Sequence, residues 1–318
     1  MRFMANIALM AAVCACAPAR AQTPAEFFRG KTINMIVSSS PGGGYDIYGR
    51  ALAQYMGKYL PGNPQVVARN MPGASSLKAV QHIAQTAPRD GTALAAFNSN
   101  LFTMALTDPR TVNIDFGALP FVGNMVSVVK TCFSWRASGV TRADELREKT
   151  LILGGTARGS GYIYGSLLQQ AYGAERVKIV LGYPSNVDAY MAMERGELMG
   201  NCTGHDIVRQ LRPQWFRDNS VSFLVQYAET PEPGLEGVPR IFDLPISEDM
   251  KKAARFYIAA DRVVRPIVTT PGAPPDRVDA LREAFDKAMK DPALLADAEK
   301  INVGIEPMTG TAIAKFVA

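Results

Sequence analysis

The sequence is poor in the residues that enzymes and metal proteins commonly use. It has two histidines, His82 and His205, and neither has a His or Cys neighbour at metal-ligand spacing. No Gly-x-Ser-x-Gly segment is present to mark a nucleophile, and no Lys-Ser/Thr pair closes its glycine-rich loops as a phosphate loop requires. These absences favour a protein that is not an enzyme and that uses no metal and no cofactor.

Long apolar runs are also missing. The N-terminal run from Ile7 to Ala17 is shorter than the about 20 residues that cross a membrane. Because Arg2 precedes this run and Ala19-Arg20-Ala21 follows it, residues 1–21 are predicted to be a cleaved signal peptide, which predicts a periplasmic mature protein.

A lipid tether on Cys14 or Cys16 is the alternative to a cleaved leader. Val13 disfavours it, because lipidated cysteines usually follow a small residue. Two cysteines, Cys132 and Cys202, remain in the mature chain, where an oxidising compartment permits a disulfide. The sequence leaves open whether these two are bridged or are two buried free thiols.

Runs of like charge are absent as well. The chain has 34 basic and 29 acidic residues, and loss of Arg2 and Arg20 with the leader would leave a weakly basic protein. Without a basic stripe interleaved with aromatic residues, nucleic acid is not an expected partner. A mild positive charge suits an anionic ligand.

What the chain does have is an alternation of strand-like and helix-like segments, which is typical of parallel sheets covered by helices. Residues 32–37, 65–68 and 93–97 predict three strands with helices between them. A second unit begins with a predicted strand at 126–129 and continues through strands at 151–153, 177–181 and 222–227, with helices at 161–172 and 187–196. Extended chain is predicted at 256–260 and 263–268, and a helix starts at Pro274-Pro275.

Two such units with a late return predict two α/β lobes. We place the first lobe at residues 22–124 plus 258–318 and the second at residues 125–257. Crossing strands would join them, and a ligand would lie in the cleft between them.

The most informative loop is Ser38-Ser39-Ser40-Pro41-Gly42-Gly43-Gly44-Tyr45-Asp46, between a predicted strand and a predicted helix. Its glycines let backbone amides converge, and the helix N-terminus adds a partial positive charge, so the loop predicts an anion-binding site. Asp46 is a good N-cap for the helix, which is the favoured role, and contact with the ligand is the alternative role. A flexible surface turn is the alternative interpretation of the glycines.

Two further loops have the same design. In the first lobe, Gly73 permits an unusual backbone angle, and Ser75 or Ser76 either caps the next helix or donates to an anion. In the second lobe, the segment from Gly154 to Gly161 contains Arg158, whose guanidinium is the only forked cationic group in these loops. This arginine suits a solvated loop position equally well. Three such loops favour capture of a ligand at the carboxyl ends of parallel strands.

The order of these loops resembles the extracytoplasmic receptors of tripartite tricarboxylate transporters, the TctC or Bug (Bordetella uptake gene) family. The resemblance covers roughly Lys31 to Thr309. It rests on Pro41-Gly42-Gly43-Gly44-Tyr45-Asp46-Ile47-Tyr48-Gly49-Arg50, Asn70-Met71-Pro72-Gly73-Ala74, Ala87-Pro88-Arg89-Asp90-Gly91-Thr92-Ala93-Leu94, and the segments Pro271-Gly272-Ala273-Pro274 and Asp291-Pro292.

This resemblance implies a type II periplasmic binding protein fold, a small carboxylate ligand held largely by backbone N–H groups, and integral membrane permease subunits as partners. The ligand-binding residues that we expect from the loops and the resemblance are Ser40, Pro41, Gly42, Gly43, Gly44, Asp46, Gly73, Ala74, Ser75, Asn98, Ser99, Thr156, Arg158, Gly159, Ser160, Tyr183 and Asp206.

The sequence departs from the family pattern in the second lobe. Tyr162-Ile163-Tyr164 stands where a histidine is frequent, and Gly182-Tyr183-Pro184-Ser185-Asn186 lacks a usual lysine. The two tyrosines at 162 and 164 suggest an aromatic or longer carboxylate. The chain also stops at Ala318, earlier than the final helix of the family, which suggests truncation or divergence.

We therefore expect a monomeric receptor that is not an enzyme. Two alternatives are a secreted enzyme that uses the same cleft and a sensing receptor that works with a histidine kinase.

Overall fold

The computed structural model describes residues 22–157 and 159–317. The predicted signal peptide and Arg158 lie outside the described residues. No helix in the described part of the chain is long and apolar enough to span a membrane.

Eleven strands in the described residues form two separate mixed sheets. The six-stranded sheet has the order β11-β4-β10-β3-β1-β2, and the five-stranded sheet has the order β7-β6-β8-β5-β9. The strands are Thr32–Val37 (β1), Gln65–Asn70 (β2), Ala93–Ala96 (β3), Phe121–Asn124 (β4), Lys130–Trp135 (β5), Leu151–Gly155 (β6), Val177–Leu181 (β7), Gly200–Gly204 (β8), Val221–Tyr227 (β9), Pro266–Thr269 (β10) and Met308–Thr309 (β11).

Helices cover both sheets. The α-helices are Pro24–Phe28 (α1), Gly44–Met56 (α2), Leu77–Gln81 (α3), Asn100–Thr107 (α4), Ser160–Tyr172 (α5), Asn186–Glu194 (α6), His205–Leu211 (α7), Pro213–Arg217 (α8), Glu248–Ala260 (α9), Pro275–Ala288 (α10), Pro292–Lys300 (α11) and Gly310–Val317 (α12). Apolar clusters pack on both faces of each sheet, because parallel strands are stable when helices bury them on both sides.

The two sheets share one strand order. In each, three strands run parallel with the first of them in the middle: β2-β1-β3 in one sheet and β7-β6-β8 in the other. A strand from a distant part of the sequence then pairs antiparallel with the third strand: β10 with β3, and β5 with β8. The chain therefore builds the same α/β layer twice.

Two segments cross between the sheets. The chain leaves the six-stranded sheet after β4 and enters the other at β5, and it returns between α9 and β10. The crossings touch each other, because the Val128 amide donates to the Asp261 carbonyl and the Arg265 amide donates to the Asn124 side chain. The predicted lobe boundaries stay a prediction.

Most predicted elements are confirmed, including β1, β2, β3, β6, β7 and β9 and the helices α2, α5, α6 and α10. The prediction of a strand at 126–129 is wrong, because the strand is the adjacent Lys130–Trp135, which pairs on both sides with β8 and β9. The prediction of extended chain at 256–260 is also wrong. That segment ends α9, which starts with Ser247 accepting from the Met250 amide and with Glu248 and Asp249 in the first turn, a favourable helix start.

Cys132 and Cys202 form a disulfide, which settles the alternative that the sequence leaves open. They face each other across the antiparallel pair β5 and β8, so the bridge joins neighbouring strands inside the buried five-stranded sheet.

Candidate functional site

A cavity of about 890 Å³ lies between the two sheets, among the loops that follow their parallel strands. Residues after β1, β2 and β3 form one wall, which we call the first wall, and residues after β6, β7 and β8 form the other, the second wall. The carboxyl ends of parallel strands are the common position for ligand sites in such sheets.

Most of the predicted ligand-binding residues line this cavity. They are Ser40, Pro41, Gly43, Gly44, Gly73, Ala74, Ser75, Asn98, Thr156, Gly159, Ser160 and Tyr183. Gly42, Asp46, Ser99 and Asp206 are not among the lining residues, and Arg158 lies outside the described residues. The loops therefore converge as the sequence predicts, while some of their side chains lie behind the cavity surface.

Asp46 organises the first loop from behind. Its carboxylate accepts hydrogen bonds from the Gly42 amide at 2.9 Å and the Asn70 side chain at 2.7 Å, and it pairs with Arg50 at 2.9 Å. The prediction that Asp46 is the N-cap is wrong, because Gly43 occupies that position and Asp46 lies in the first turn of α2. Burial opposes the charged form, but Arg50, the Gly42 amide and Asn70 together hold the pKa of Asp46 below its usual value.

The second loop has an unusual backbone. Gly73 has φ of 136°, and Ala74, Ser75 and Ser76 follow with φ of 47°, 52° and 82°. Three consecutive non-glycine residues in the left-handed region cost conformational energy, and such strain tends to occur at functional sites.

The interpretation of the two serines as helix caps is wrong, because Ser76 occupies the N-cap position without a side-chain capping bond. The Ser76 hydroxyl instead donates to Ser38 and accepts from the Asn98 amide, whereas the Ser75 hydroxyl donates to the Ala157 carbonyl.

The loop after β6 depends on close backbone packing. A Cβ placed on Gly161 would lie 2.7 Å from the Gly155 Cα, and one placed on Gly155 would lie 2.9 Å from the Gly161 Cα. These glycines let the start of α5 approach the end of β6.

Two buried cations that the sequence analysis missed also line the cavity. Lys130 begins β5 and pairs with Asp261 at 3.4 Å, and Arg265 precedes β10 and pairs with Asp206 at 2.8 Å. Both cations are more than nine-tenths buried. A signal for them exists in the sequence, because each is a single charge inside an apolar run, and such a charge is retained only with a partner or a ligand.

Burial shifts several of the acids and phenols near these cations. Burial raises the pKa of Asp261, although Lys130 and the Tyr164 hydroxyl oppose that shift. Burial also raises the pKa of Tyr48 to about 12, even though Arg265 lies beside its ring. Burial likewise raises the pKa of Tyr164, so both phenols are neutral hydrogen-bond donors at neutral pH. Tyr48 donates to the Gly304 carbonyl, and Tyr164 donates to Asp261.

Contacts beside the cavity join the parts of the chain that belong to the two sheets. The Ser75 hydroxyl donates to the Ala157 carbonyl at 2.8 Å, and Arg265 pairs with Asp206. A Cβ on Gly44 would lie 2.3 Å from the end of the Ile207 side chain, so the start of α2 packs directly against α7. The first loop thus approaches the second sheet closely enough to enclose a small ligand.

The suggestion that Tyr162 and Tyr164 favour an aromatic ligand receives no support from their positions. Tyr162 is 46% exposed, Tyr164 is buried in the core, and neither is among the lining residues. The histidines are also outside the cavity lining. His82 contacts Thr86, and His205 packs against Phe216 and Phe223.

The described residues contain no group of three or more His, Cys, Asp or Glu side chains that could hold a metal ion. The cavity is lined by loop amides, hydroxyl groups and two cations that are each paired with an aspartate. Such a set of groups can bind an anion.

Comparison with known proteins gives the fold. No protein-family profile and no curated protein matches the chain. Solved structures do match. The periplasmic binding protein BugD is 17% identical, with 90% of this chain and 93% of that chain covered and a TM-score of 0.71. MatC from Rhodopseudomonas palustris, solved with malate, is 15% identical, with 90% and 95% covered and a TM-score of 0.69.

R. palustris Rpa4515, solved with adipate, is also 15% identical, with 90% and 92% covered and a TM-score of 0.68. The chain therefore has the periplasmic binding protein fold, with two α/β lobes, and this fold prediction is confirmed.

Proposed function

We propose that the chain is an extracytoplasmic solute-binding receptor that captures a small carboxylate in the cavity between its sheets. The observation that carries this proposal is the set of free backbone amides around the cavity. Gly44 and Tyr45 in the first loop, and Ala74 and Ser75 in the second, have amide N–H groups with no acceptor among the described residues. Amides of this kind at a cavity surface are suited to a carboxylate.

Helix α2 strengthens the first of these groups. It has 13 residues and begins at Gly44, so its N-terminus contributes a partial positive charge at the cavity. The Asp46 carboxylate lies in the same turn, but the Gly42 amide, Asn70 and Arg50 already engage it. The amides of Gly44 and Tyr45 therefore remain available for a ligand.

The ligand class follows from this chemistry and from the bound molecules of the structural neighbours. The MatC and Rpa4515 structures contain malate and adipate, which are both dicarboxylates. A volume of about 890 Å³ accommodates molecules of this size together with water. We propose a dicarboxylate or a related small carboxylate for this chain.

A non-catalytic role suits the arrangement of side chains. In the described residues, neither histidine lines the cavity, and the lining serines have no lining histidine as a base. We propose that the protein binds its ligand, closes by a hinge motion of the two lobes at the crossing segments, and releases the ligand chemically unchanged. A secreted enzyme remains the alternative from another class, and turnover of a bound carboxylate would support it.

The proposal includes a periplasmic location, a monomeric state and delivery to integral membrane permease subunits of a tripartite tricarboxylate-type transporter. A buried disulfide is compatible with an oxidising compartment. A sensing receptor would keep the same cavity but act on a histidine kinase. The lobe division at 22–124 plus 258–318 and 125–257 is part of the proposal, and it agrees with the strand membership of the two sheets.

A thermal-denaturation screen tests the proposal. The panel contains acetate, malate, adipate, citrate and benzoate, with the diamides of malate and adipate as uncharged controls. A ligand present at 100 times its dissociation constant adds about 2.7 kcal/mol to the free energy of unfolding. We expect at least one carboxylate to raise the melting temperature by several degrees while its amide does not. Equal responses to acids and amides, or no response to any compound, would overturn carboxylate capture.

A further inference from the structure

Building on the proposed receptor function, we propose that Arg265 is the specificity-determining side chain of the cavity and holds one carboxylate of the ligand. Asp206 acts through Arg265 as a positioning residue. This assignment differs from the expectation that Asp206 contacts the ligand itself, and it adds a charged group to a site whose other donors are mainly backbone amides.

The position of Arg265 is fixed by its backbone. It directly precedes β10, where the chain re-enters the six-stranded sheet, and its amide donates to the Asn124 side chain at 2.8 Å. Its side chain is 5% exposed and lines the cavity. The guanidinium is therefore held at the cavity, close to the two crossing segments.

Most of the hydrogen-bonding capacity of this guanidinium is unused. One nitrogen, Nη2, donates to Asp206 at 2.8 Å, whereas Nε and Nη1 are buried and have no acceptor among the described residues. An arginine has five N–H donors and no acceptor, and leaving charged donors unpaired in a buried site is costly. A carboxylate toward which the side chain turns when the ligand binds would supply the missing acceptors.

The surroundings of Arg265 favour an anion as the acceptor. The position of a Cβ on Gly44 lies 3.5 Å from Nη2, which places the guanidinium beside the N-terminus of α2. The Gly44 and Tyr45 amides at that N-terminus are free in the described residues. One carboxylate can therefore accept from the guanidinium and from helix amides together.

Two aromatic rings pack against the guanidinium of Arg265. The Tyr48 ring centre lies 4.0 Å from the Arg265 Cζ, and the Tyr45 ring centre lies 5.8 Å from it. Their hydroxyl groups donate to the carbonyls of Gly304 and Val264, so both rings are fixed in place. A guanidinium held in this way loses little freedom when a ligand binds.

Lys130 provides a contrast within the same cavity. Its partner Asp261 also accepts from the Tyr164 hydroxyl, which lies in the core of the second sheet. The pair therefore ties β5 to the returning crossing segment. Arg265, in contrast, has free donors beside free amides, so it is the cation that we assign to the ligand.

Calorimetric titration of the mature protein with malate and adipate tests this assignment. Arg265→Gln alone leaves the Asp206 carboxylate without its partner, so the double variant Arg265→Gln/Asp206→Asn is the informative one. It removes both charges and leaves an uncharged pair of similar size. We expect the double variant to keep its fold, measured by circular dichroism, and to lose affinity by about 100-fold. Unchanged affinity in the folded double variant would overturn the assignment.

Asp206→Asn gives a result in the opposite direction. It removes the acid that competes for the guanidinium, so we expect about tenfold tighter binding of both dicarboxylates, the equivalent of one charged hydrogen bond at the weak end of its range. Weaker binding by this variant would support Asp206 as a direct ligand contact and contradict its positioning role. Arg262→Gln, which removes an exposed arginine three residues earlier, is the matched control and should bind like the native protein.

A change in the ligand distinguishes a direct contact from a structural effect. We expect the native protein to bind adipate at least tenfold more tightly than its monoamide, which has one carboxylate fewer. In the double variant this preference should shrink by about tenfold, because the group that recognises the second carboxylate is gone. An unchanged preference would contradict the assignment while leaving the receptor function intact. If the native protein binds neither dicarboxylate in the titration, both proposals fail for this ligand class.

Discussion

The two walls of the cavity are built on sheets with the same strand order, but they hold their loops by different means. The first wall relies on polar side chains, because Asp46 connects Gly42, Asn70 and Arg50 behind the first loop. The second wall relies on a disulfide between β5 and β8 and on the Gly155–Gly161 contact. The two sheets thus share a strand order, but the local sequence determines which interactions stabilise the loops that follow their strands.

This difference has a consequence for ligand binding. The free amides lie in the first wall, and Arg265 precedes β10 of the same sheet. The support of this wall is electrostatic, so single charge changes there should affect binding. The second wall is held by covalent and steric contacts, so its variants should affect stability more than affinity.

Removal of the disulfide should have the largest effect. Cys132 and Cys202 are 70 residues apart, and a crosslink of that span stabilises by about 4 kcal/mol in the chain-entropy description. We expect Cys132→Ser/Cys202→Ser to lower the free energy of unfolding by that amount in urea denaturation, with ligand affinity in the folded protein within about threefold. The native protein in reductant serves as a second test of the same bond. A loss under about 1 kcal/mol would contradict the covalent support of the second wall.

Substitution of Asp46 should have the next largest effect. Asp46→Ala removes the acceptor of the Gly42 amide and of Asn70, and we expect a loss of about 3 kcal/mol together with weaker ligand binding. Asp279→Ala is the control, because Asp279 is exposed and pairs only at the helix surface with Arg282. Equal affinity of Asp46→Ala and the native protein, measured by calorimetry, would mean that the polar network does not set the loop geometry.

The pH dependence of the free energy of unfolding tests the burial of His205, which begins α7 next to the second wall. Burial, together with Arg209, lowers the pKa of His205 to about 4, while an unfolded histidine titrates near 6.5. Between these values the unfolded chain binds a proton that the folded chain does not, so stability falls as the pH drops from about 6.5 to about 4. We expect this histidine to contribute a loss of about 2 kcal/mol over that range.

Comparing His205→Phe with the native protein isolates this contribution. The phenyl ring should retain the contacts with Phe216 and Phe223 and remove the titration. The native protein measured in parallel gives the reference slope of stability against pH. If His205→Phe shows that same slope in urea denaturation at stepped pH values, the attribution to His205 is wrong.

The glycine contact in the second wall should give the smallest effect. Gly161→Ala places a Cβ 2.7 Å from the Gly155 Cα, which is backbone and cannot rotate away, so we expect a loss of about 1–2 kcal/mol. Gly165→Ala, one turn later in α5, meets only side-chain atoms at 3.3 Å or more and gains helix propensity. Thermal denaturation of both should separate them, and similar melting temperatures would show that the close approach is not important.

Much of the first wall could be predicted from sequence. Residues 32–37 form an apolar run bounded by glycine and proline, and this pattern identifies both a buried strand and the loop that follows it. The convergence of the loops then follows from the geometry of parallel strands, because their carboxyl ends meet at one edge.

The second wall was harder to predict. The strand β8, Gly200–Gly204, is made of small and polar residues with low strand propensity, and its pairing with β5 and β6 creates it. The apolar run at 126–129 has more strand propensity than its surroundings, yet the strand starts at Lys130, since tertiary pairing decides between adjacent segments. Loop patterns alone also miss Arg265, whose role depends on a residue 59 positions away.

The central claim is that backbone amides around the cavity bind a carboxylate, and NMR chemical shifts of those amides test it most directly. In a ¹⁵N-labelled sample titrated with malate or adipate, the account predicts large, saturable shifts at Gly44, Tyr45, Ala74 and Ser75, and small shifts at Gly117 and Gly139, which are not among the cavity-lining residues. The same shifts should be absent with the corresponding diamide. Saturable binding with no change at these four amides, or shifts confined to residues outside the cavity, would contradict the account.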